Sequence, residues 1–349
     1  MLASKTAEET RKLQLTGGST YIVSLPKRWI DQNHLKRGSI IRLREEDGGL
    51  LSIMPTAVAK QEIQDEALVR ATSKDSPDQL IRKVVATYLI GYSLIHVRAE
   101  NQKPLSAKQR HEIKAFSRRM LVGTEIVKDT AEELTLQVLV SYPELSVQSA
   151  LRRMTIITAS MHRDAIAALK CHDFQQAKEV INTDDEVDRF NMYVVRQLKT
   201  AIQNPRIIKD IGLEKARDCL GYRLVTKSVE RTADHAVAIA ENIMNFQGRI
   251  EEKTLEKLES MSNIAVSMFE NAMEALLRQD YVLAESIIEK TEDVIAIEKQ
   301  TLTFPNKMQS EEVARLRLII ESIRRTAEYA TDIAEIVLNL TVQSILTPT

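Results

Sequence analysis

Four carboxylates stand out by their spacing. Glu230 and Asp234 are i and i+4 within SVERTADHAVAIAE (228–241), and Asp184 and Asp188 are i and i+4 within INTDDEVDRF (181–190). Residues four apart on a helix share a face about one turn apart, so each pair would present two oxygen-bearing side chains on one stripe. Hard cations require several oxygen ligands, and four convergent carboxylates could hold Mg, Ca, Mn or Fe. The two cysteines, Cys171 and Cys219, are isolated from one another and offer no thiolate set for structural zinc. Asp185 and His235 lie alongside and are candidate helpers. Acids at this spacing also line ordinary exposed helices, and for one pair alone that is the simpler account.

Enzymatic use of such acids is disfavoured by what accompanies them. Di-iron helical bundles supply Glu-x-x-His, with the histidine at i+3. Here His235 directly follows Asp234 and points elsewhere on the helix, and no other nucleophile or base accompanies the acids. The chain reads as a non-enzyme.

Positioning the acids falls to a duplicated helical region. SIRRTAEYATDIAE (322–335) is a partial copy of 228–241, and Met154–Thr183 aligns without a gap on Met261–Lys290, matching Met154 with Met261, Ala165 with Ala272, Leu169 with Leu276 and Asp173 with Asp280. Each repeat is expected to hold three helices. In the first they run from about 145 to 170, from Asp173 as N-cap to before Pro205, and from 214 to 247; in the second from 253 to 278, 280 to 302 and 310 to 346, with Pro305 in the second loop. The second copy has lost most of the acids. Thr291, Ile295 and Arg324 replace Asp184, Asp188 and Glu230, Tyr329 replaces His235, and only Glu328 survives. An arginine in a cation site repels the cation at close range and can pair with Glu328 at i+4. The second site is therefore expected to be metal-free.

Upstream, residues 1–55 alternate short β-rich runs (Arg11–Gln14, Thr20–Leu25, Ser39–Arg44, Leu50–Met54) with glycine turns at Gly17-Gly18, Gly38 and Gly48-Gly49, and one or two helical turns follow Pro26. From Arg11 to Arg44 eight basic residues stand against one acid, Asp31, an excess that points to a polyanion. Residues 56–75 read as a polar linker carrying some extended structure. Beyond it, helices over 78–91 and 106–121, a strand at 94–97 and a hairpin around 129–133 make a small α/β module without a phosphate-cradling glycine loop. Scarce cysteine, the lack of a long apolar run and the absence of a signal-like N-terminus suit a cytoplasmic protein with no membrane insertion.

Two stretches resemble known families. RKLQLTGGSTYIVSLPKRW followed by LKRGSIIRLREEDGGLLSIMP, with its LP-K-R-W turn and Leu-x-x-Gly before the third strand, resembles the AbrB/SpoVT domain. That resemblance implies a homodimeric swapped-hairpin β-barrel that binds DNA, with Arg11, Lys12, Lys27 and Arg28 as the contact candidates. ERTADHAVAIAENI and TDDEVD resemble the paired motifs of PhoU, the phosphate-uptake regulator, in its archaeal type with an AbrB-like head. This second resemblance implies a metal cluster built from the acidic pairs, which assigns a divalent or iron-type ion in the first repeat to Asp184, Asp188, Glu230 and Asp234. It also implies a role in phosphate homeostasis, exerted on DNA or by docking on a phosphate transporter ATPase or signalling kinase. The expected fold is multidomain and mainly α: a swapped-hairpin barrel over 1–55, an α/β connecting module over 56–141, and tandem three-helix bundles over 142–250 and 251–349.

Overall fold

The computed structural model describes residues 9–46, 49–55, 66–100, 104–140, 144–248, 250–301 and 309–346. Residues 56–65 of the linker expected over 56–75, Gly48 of one turn, and Pro305 of the second-repeat loop lie outside the described residues. The chain divides into two compact units, residues 1–64 and 65–349.

The first unit holds β1 (Gln14–Thr16), β2 (Thr20–Ile22), α1 (Lys27–Gln32), β3 (Ile41–Glu46) and β4 (Leu50–Pro55). β1 pairs antiparallel with β2 and β3 with β4. Gly17 and Gly18 turn the first hairpin with φ of 63° and 80°, a region side chains with a Cβ avoid. The expected closed swapped-hairpin barrel is not formed. Each strand pairs only with its sequence neighbour, which leaves two open two-stranded sheets. Strands of three residues cannot curl around a core, and the side chains that a barrel would turn inward stay outside: Leu15, Tyr21, Ile40, Leu43 and Leu51 are exposed.

The second unit opens with the α/β module. β5 (Glu66–Ala71), α2 (Pro77–Ile90), β6 (Leu94–Ala99), α3 (Ala107–Met120), β7 (Thr124–Asp129) and β8 (Glu133–Val138) form a four-stranded sheet in the order β5-β6-β8-β7. β5 and β6 are parallel, joined through α2, and the other pairs are antiparallel. Both helices start on a capping box. Ser76 accepts from Gln79 N at 3.2 Å while the Gln79 side chain accepts from Ser76 N at 2.8 Å, and Ser106 with Gln109 does the same at 3.1 and 2.9 Å. Leu80, Val84, Tyr88 and Ile113 pack on Val69, Ala71, Ile95, Val97, Leu134 and Leu136 in one core. β5 is the extended structure expected within the linker, its exposed Glu66, Leu68 and Arg70 alternating with buried Ala67, Val69 and Ala71.

The helical body comprises α4 (Val147–Cys171), α5 (Phe174–Gln203) and α6 (Asp218–Met244), then α7 (Glu252–Arg278), α8 (Tyr281–Glu289), α9 (Thr291–Thr301) and α10 (Ser310–Thr341). The duplication extends to the turn geometry. α4 ends on left-handed His172 and α7 on left-handed Gln279, and the next residue in each case, Asp173 or Asp280, caps the following helix by accepting a backbone N–H at 3.0 Å. Helix two of the second repeat is broken at Lys290 into α8 and α9, a break that no proline or glycine in 281–301 dictates. One apolar core runs through both repeats, with Met154, Ala165 and Leu169 buried beside their copies Met261, Ala272 and Leu276. Among the described residues no helix is long and apolar enough to cross a membrane.

Candidate metal centre

α5 and α6 pack side by side. α5 buries Ala177, Val180, Val187 and Val194, and α6 buries Val225, Val229, Ala233 and Ala236, so the acids fall on the stripe at the margin of that contact. The four acids lie along that margin, near enough that the charge of one raises another. Burial and then the charge of Asp188, with Asp234 and Glu230 behind it, push the Asp184 carboxyl up to about 7. Burial followed by Glu230 and Asp234 pushes Asp188 up to about 6, and burial followed by Glu230 raises Asp234. Lys227, one turn before Glu230, pairs with it and tempers both aspartates. Asp184 Oδ1 is buried and, among the described residues, accepts no hydrogen bond.

Among the described residues no three His, Cys, Asp or Glu side chains are drawn together as ready-made metal ligands. The four acids stand within range of mutual repulsion without sharing a common ligand point, as like charges in a partly desolvated site must. Their chemistry nevertheless fits a hard cation: the donors are all oxygen, the negative charge exceeds what Lys227 offsets, and one oxygen is orphaned.

In the second repeat the equivalent place is filled by a guanidinium. Arg324 pairs with Glu328, as its i+4 spacing implies, and also with Glu321 at 2.6 Å and with Glu298 of α9 at 3.4 Å. Thr291, in the place of Asp184, exchanges a 2.8 Å hydrogen bond with Thr331. The two candidate helpers turn elsewhere. Asp185 faces Arg119 of α3 at 3.4 Å, and the His235 ring lies 5.7 Å from Tyr329, its own copy, between the repeats.

Three further residues escaped the sequence reading. Lys227 pairs with Glu230 beside the other acids, a contact that no spacing of acids announces. His162 is buried where the repeats meet, its Nε2 2.8 Å from Thr232 O and 3.2 Å from the Oγ1 of Thr326, the copy of Thr232; burial holds its imidazole down at about 4. Arg196 is buried under the α/β module, donating to Tyr88 O and, at 2.9 Å, to Gly91 O, with its guanidinium 4.9 Å from the Tyr88 ring. No sequence spacing announces either long-range contact. In the first unit Lys12, Lys27 and Arg28 are exposed, the last two on the opening turn of α1, and Arg11 pairs with Glu9.

Residues 151–243 and 258–337 each match the PhoU domain family, one match for each helical repeat. The helical body belongs to the PhoU family. Residues 14–60 match the family described as antidote-toxin recognition MazE, bacterial antitoxin. Over 197 residues the chain is 21% identical to a phosphate-specific transport system accessory protein PhoU homolog of Clostridium acetobutylicum, covering 54% of this chain and 88% of that one. It is 27% identical over 160 residues to a PhoU homolog of the same description from Caulobacter vibrioides, covering 45% of this chain and 65% of that protein. Among solved structures, the chain is similar to the phosphate transport system regulatory protein PhoU from Streptococcus pneumoniae and to PhoU from Pseudomonas aeruginosa. Both give a TM-score of 0.49, at 17% and 20% identity, covering 58% and 56% of this chain and 96% of each structure.

Proposed function

We propose that this chain is a cytoplasmic regulator of phosphate uptake whose first PhoU repeat binds a divalent or iron-type cation and whose N-terminal unit binds DNA. The observation that carries the sensor half is the orphaned Asp184 oxygen among three like charges, set against a repeat two in which Arg324 already supplies the cation. Asp184, Asp188, Glu230 and Asp234 would hold the ion. A bound ion would neutralise the repelling carboxylates and tie α5 to α6, the kind of differential contact that biases a helical bundle between two states. The phosphate assignment rests on the PhoU family and on relatives named for the phosphate-specific transport system.

The DNA-binding half is supported by the exposed Lys12, Lys27 and Arg28 and the basic excess between Arg11 and Arg44. Exposed Leu15, Tyr21, Ile40, Leu43 and Leu51 support a homodimer in which a second copy of this unit covers them, since no described residue of the unit is buried. The test is mobility shift on DNA from upstream of phosphate-transport genes. Wild-type protein should shift it in a salt-sensitive way, because phosphate contacts release counterions, and the Lys27→Glu/Arg28→Glu variant should lose roughly tenfold or more in affinity. Binding that ignores both the charge reversal and salt contradicts this half. The relatives' description as transport accessory proteins favours one alternative, an adaptor that docks on a phosphate transporter ATPase or signalling kinase without touching DNA. Absence of any shift together with capture of such a partner would decide for it.

A further inference from the structure

The four-stranded sheet of the α/β module has two outer strands, and they are built differently. β7 carries a bulge between Ile126 and Lys128, a device that keeps a strand edge from pairing. β5 is regular along its whole pairing with β6, contains no proline and, among the described residues, meets no strand on its other side. Ala71 O accepts from Glu100 N, just past β6, at 2.8 Å. By alternation the N–H and C=O groups of Glu66, Leu68 and Arg70 therefore face outward. Arg70 O receives a 3.5 Å contact from Lys83 Nζ of α2, which agrees with that direction.

The same three residues carry the exposed side chains of the strand, and Glu66 and Arg70 are placed symmetrically about Leu68, which is 48% exposed. Charges of one sign would guard this edge against a second copy. Opposite charges on either side of a leucine suit one in antiparallel register, where Leu68 meets its own copy and each Glu66 meets an Arg70. Parallel pairing would set like charge against like. The antiparallel register also matches the backbone, since every opposed pair consists of residues whose N–H and C=O groups face outward and can exchange two hydrogen bonds. The Arg70 side chain is 72% exposed and meets Glu100 of its own chain at 3.5 Å, a surface pair that costs little to give up. We propose that β5 pairs antiparallel with β5 of a second copy of this chain, joining two modules into one continuous sheet. This contact is separate from the one proposed for the first unit and from the cation site, and stands without either.

The test is disulfide trapping in the full chain, with Cys171→Ser removing the exposed native thiol. In a hydrogen-bonded antiparallel pair the opposed Cα atoms stand about 5.5 Å apart, within reach of a disulfide. Leu68→Cys should therefore be trapped as a disulfide-linked dimer in glutathione buffer, and Val127→Cys, at a 52% exposed position on the bulged edge, should not. Adding Glu66→Arg or Arg70→Glu to the Leu68→Cys chain sets like charges opposite one another and should lower the dimer-to-monomer ratio roughly tenfold or more. An equimolar mixture of the two reversed chains should restore it, because each then opposes the other's sign. All variants should keep the wild-type circular dichroism, and should one reversed chain fail to fold, the combined Glu66→Arg/Arg70→Glu chain provides the same restoration. Absence of the trapped dimer overturns the proposal. Trapping that is as strong at Val127, or that ignores the charge reversals, overturns it equally.

Discussion

Asp184 is held among three other carboxylates with one oxygen unpartnered, and Arg324 in the second repeat is surrounded by three. The same two-helix arrangement thus carries negative charge that Lys227 only partly offsets in one copy and an internal counter-charge in the other. Arg324→Ala should leave Glu298, Glu321 and Glu328 facing one another and destabilise the protein by roughly 1–2 kcal/mol in urea unfolding, the low value reflecting their partial exposure. An unchanged unfolding midpoint would show that the arginine is only a surface ion pair. A second residue-scale test lies in the module. Glu133 is buried between His96 at 2.8 Å, Arg98 at 3.3 Å and Lys128 at 2.7 Å, and its bond to Lys128, more than its other partners, holds its carboxyl down at about 2. Because this lies below the 4.5 of an unperturbed glutamate, the unfolded chain takes up the proton first on acidification. The stabilisation is therefore full above about 4.5 and lost as pH falls toward 2, and Glu133→Gln should remove on the order of 2 kcal/mol at pH 7 and flatten that acid limb. The acids at i and i+4 were legible in the sequence because charge at helical spacing is conspicuous. Lys227, which pairs with Glu230, was not, because a lone lysine does not announce the acid it meets.

At the scale of elements, α5 joins the site to the module. It carries Asp184 and Asp188 in its first half and Arg196 in its second, where the buried guanidinium collects carbonyls from the C-terminal end of α2, the end at which a cation is favoured by the helix dipole. The fit at that joint is close: Gly91 has a φ of 117°, and a Cβ there would stand 2.8 Å from Thr200 Oγ1. Arg196→Met should remove one donor each from Tyr88 O and Gly91 O and cost about 2–4 kcal/mol in urea unfolding, with increased hydrogen exchange over α2. Wild-type protection over 77–91 in that variant would mean that apolar packing alone holds the module. The helices were readable from their stripes and caps, Ser76, Ser106, Asp173 and Asp280 all standing at N-termini. The break at Lys290 was not, since residues 281–301 have the composition of an uninterrupted helix.

For the molecule as a whole, the two repeats share one arrangement of helices and differ in charge at matching positions, with Asp184, Asp188, Glu230 and Asp234 in the first and Thr291, Ile295, Arg324 and Glu328 in the second. The head was the least legible part: its strands and turns were placed by their β-rich runs and glycines, but closure into a barrel is a matter of pairing between strands, which the runs of one short segment do not specify. The claim on which the rest depends is that the first repeat alone takes a cation. Mn2+ stoichiometry measured by native mass spectrometry tests it on three full-length proteins: wild type, Asp184→Asn/Asp234→Asn, and Glu328→Gln. Mn2+ should be bound by the wild type, lost from the double variant and bound at wild-type stoichiometry by Glu328→Gln. Retention in the double variant, or loss on changing Glu328, would contradict it.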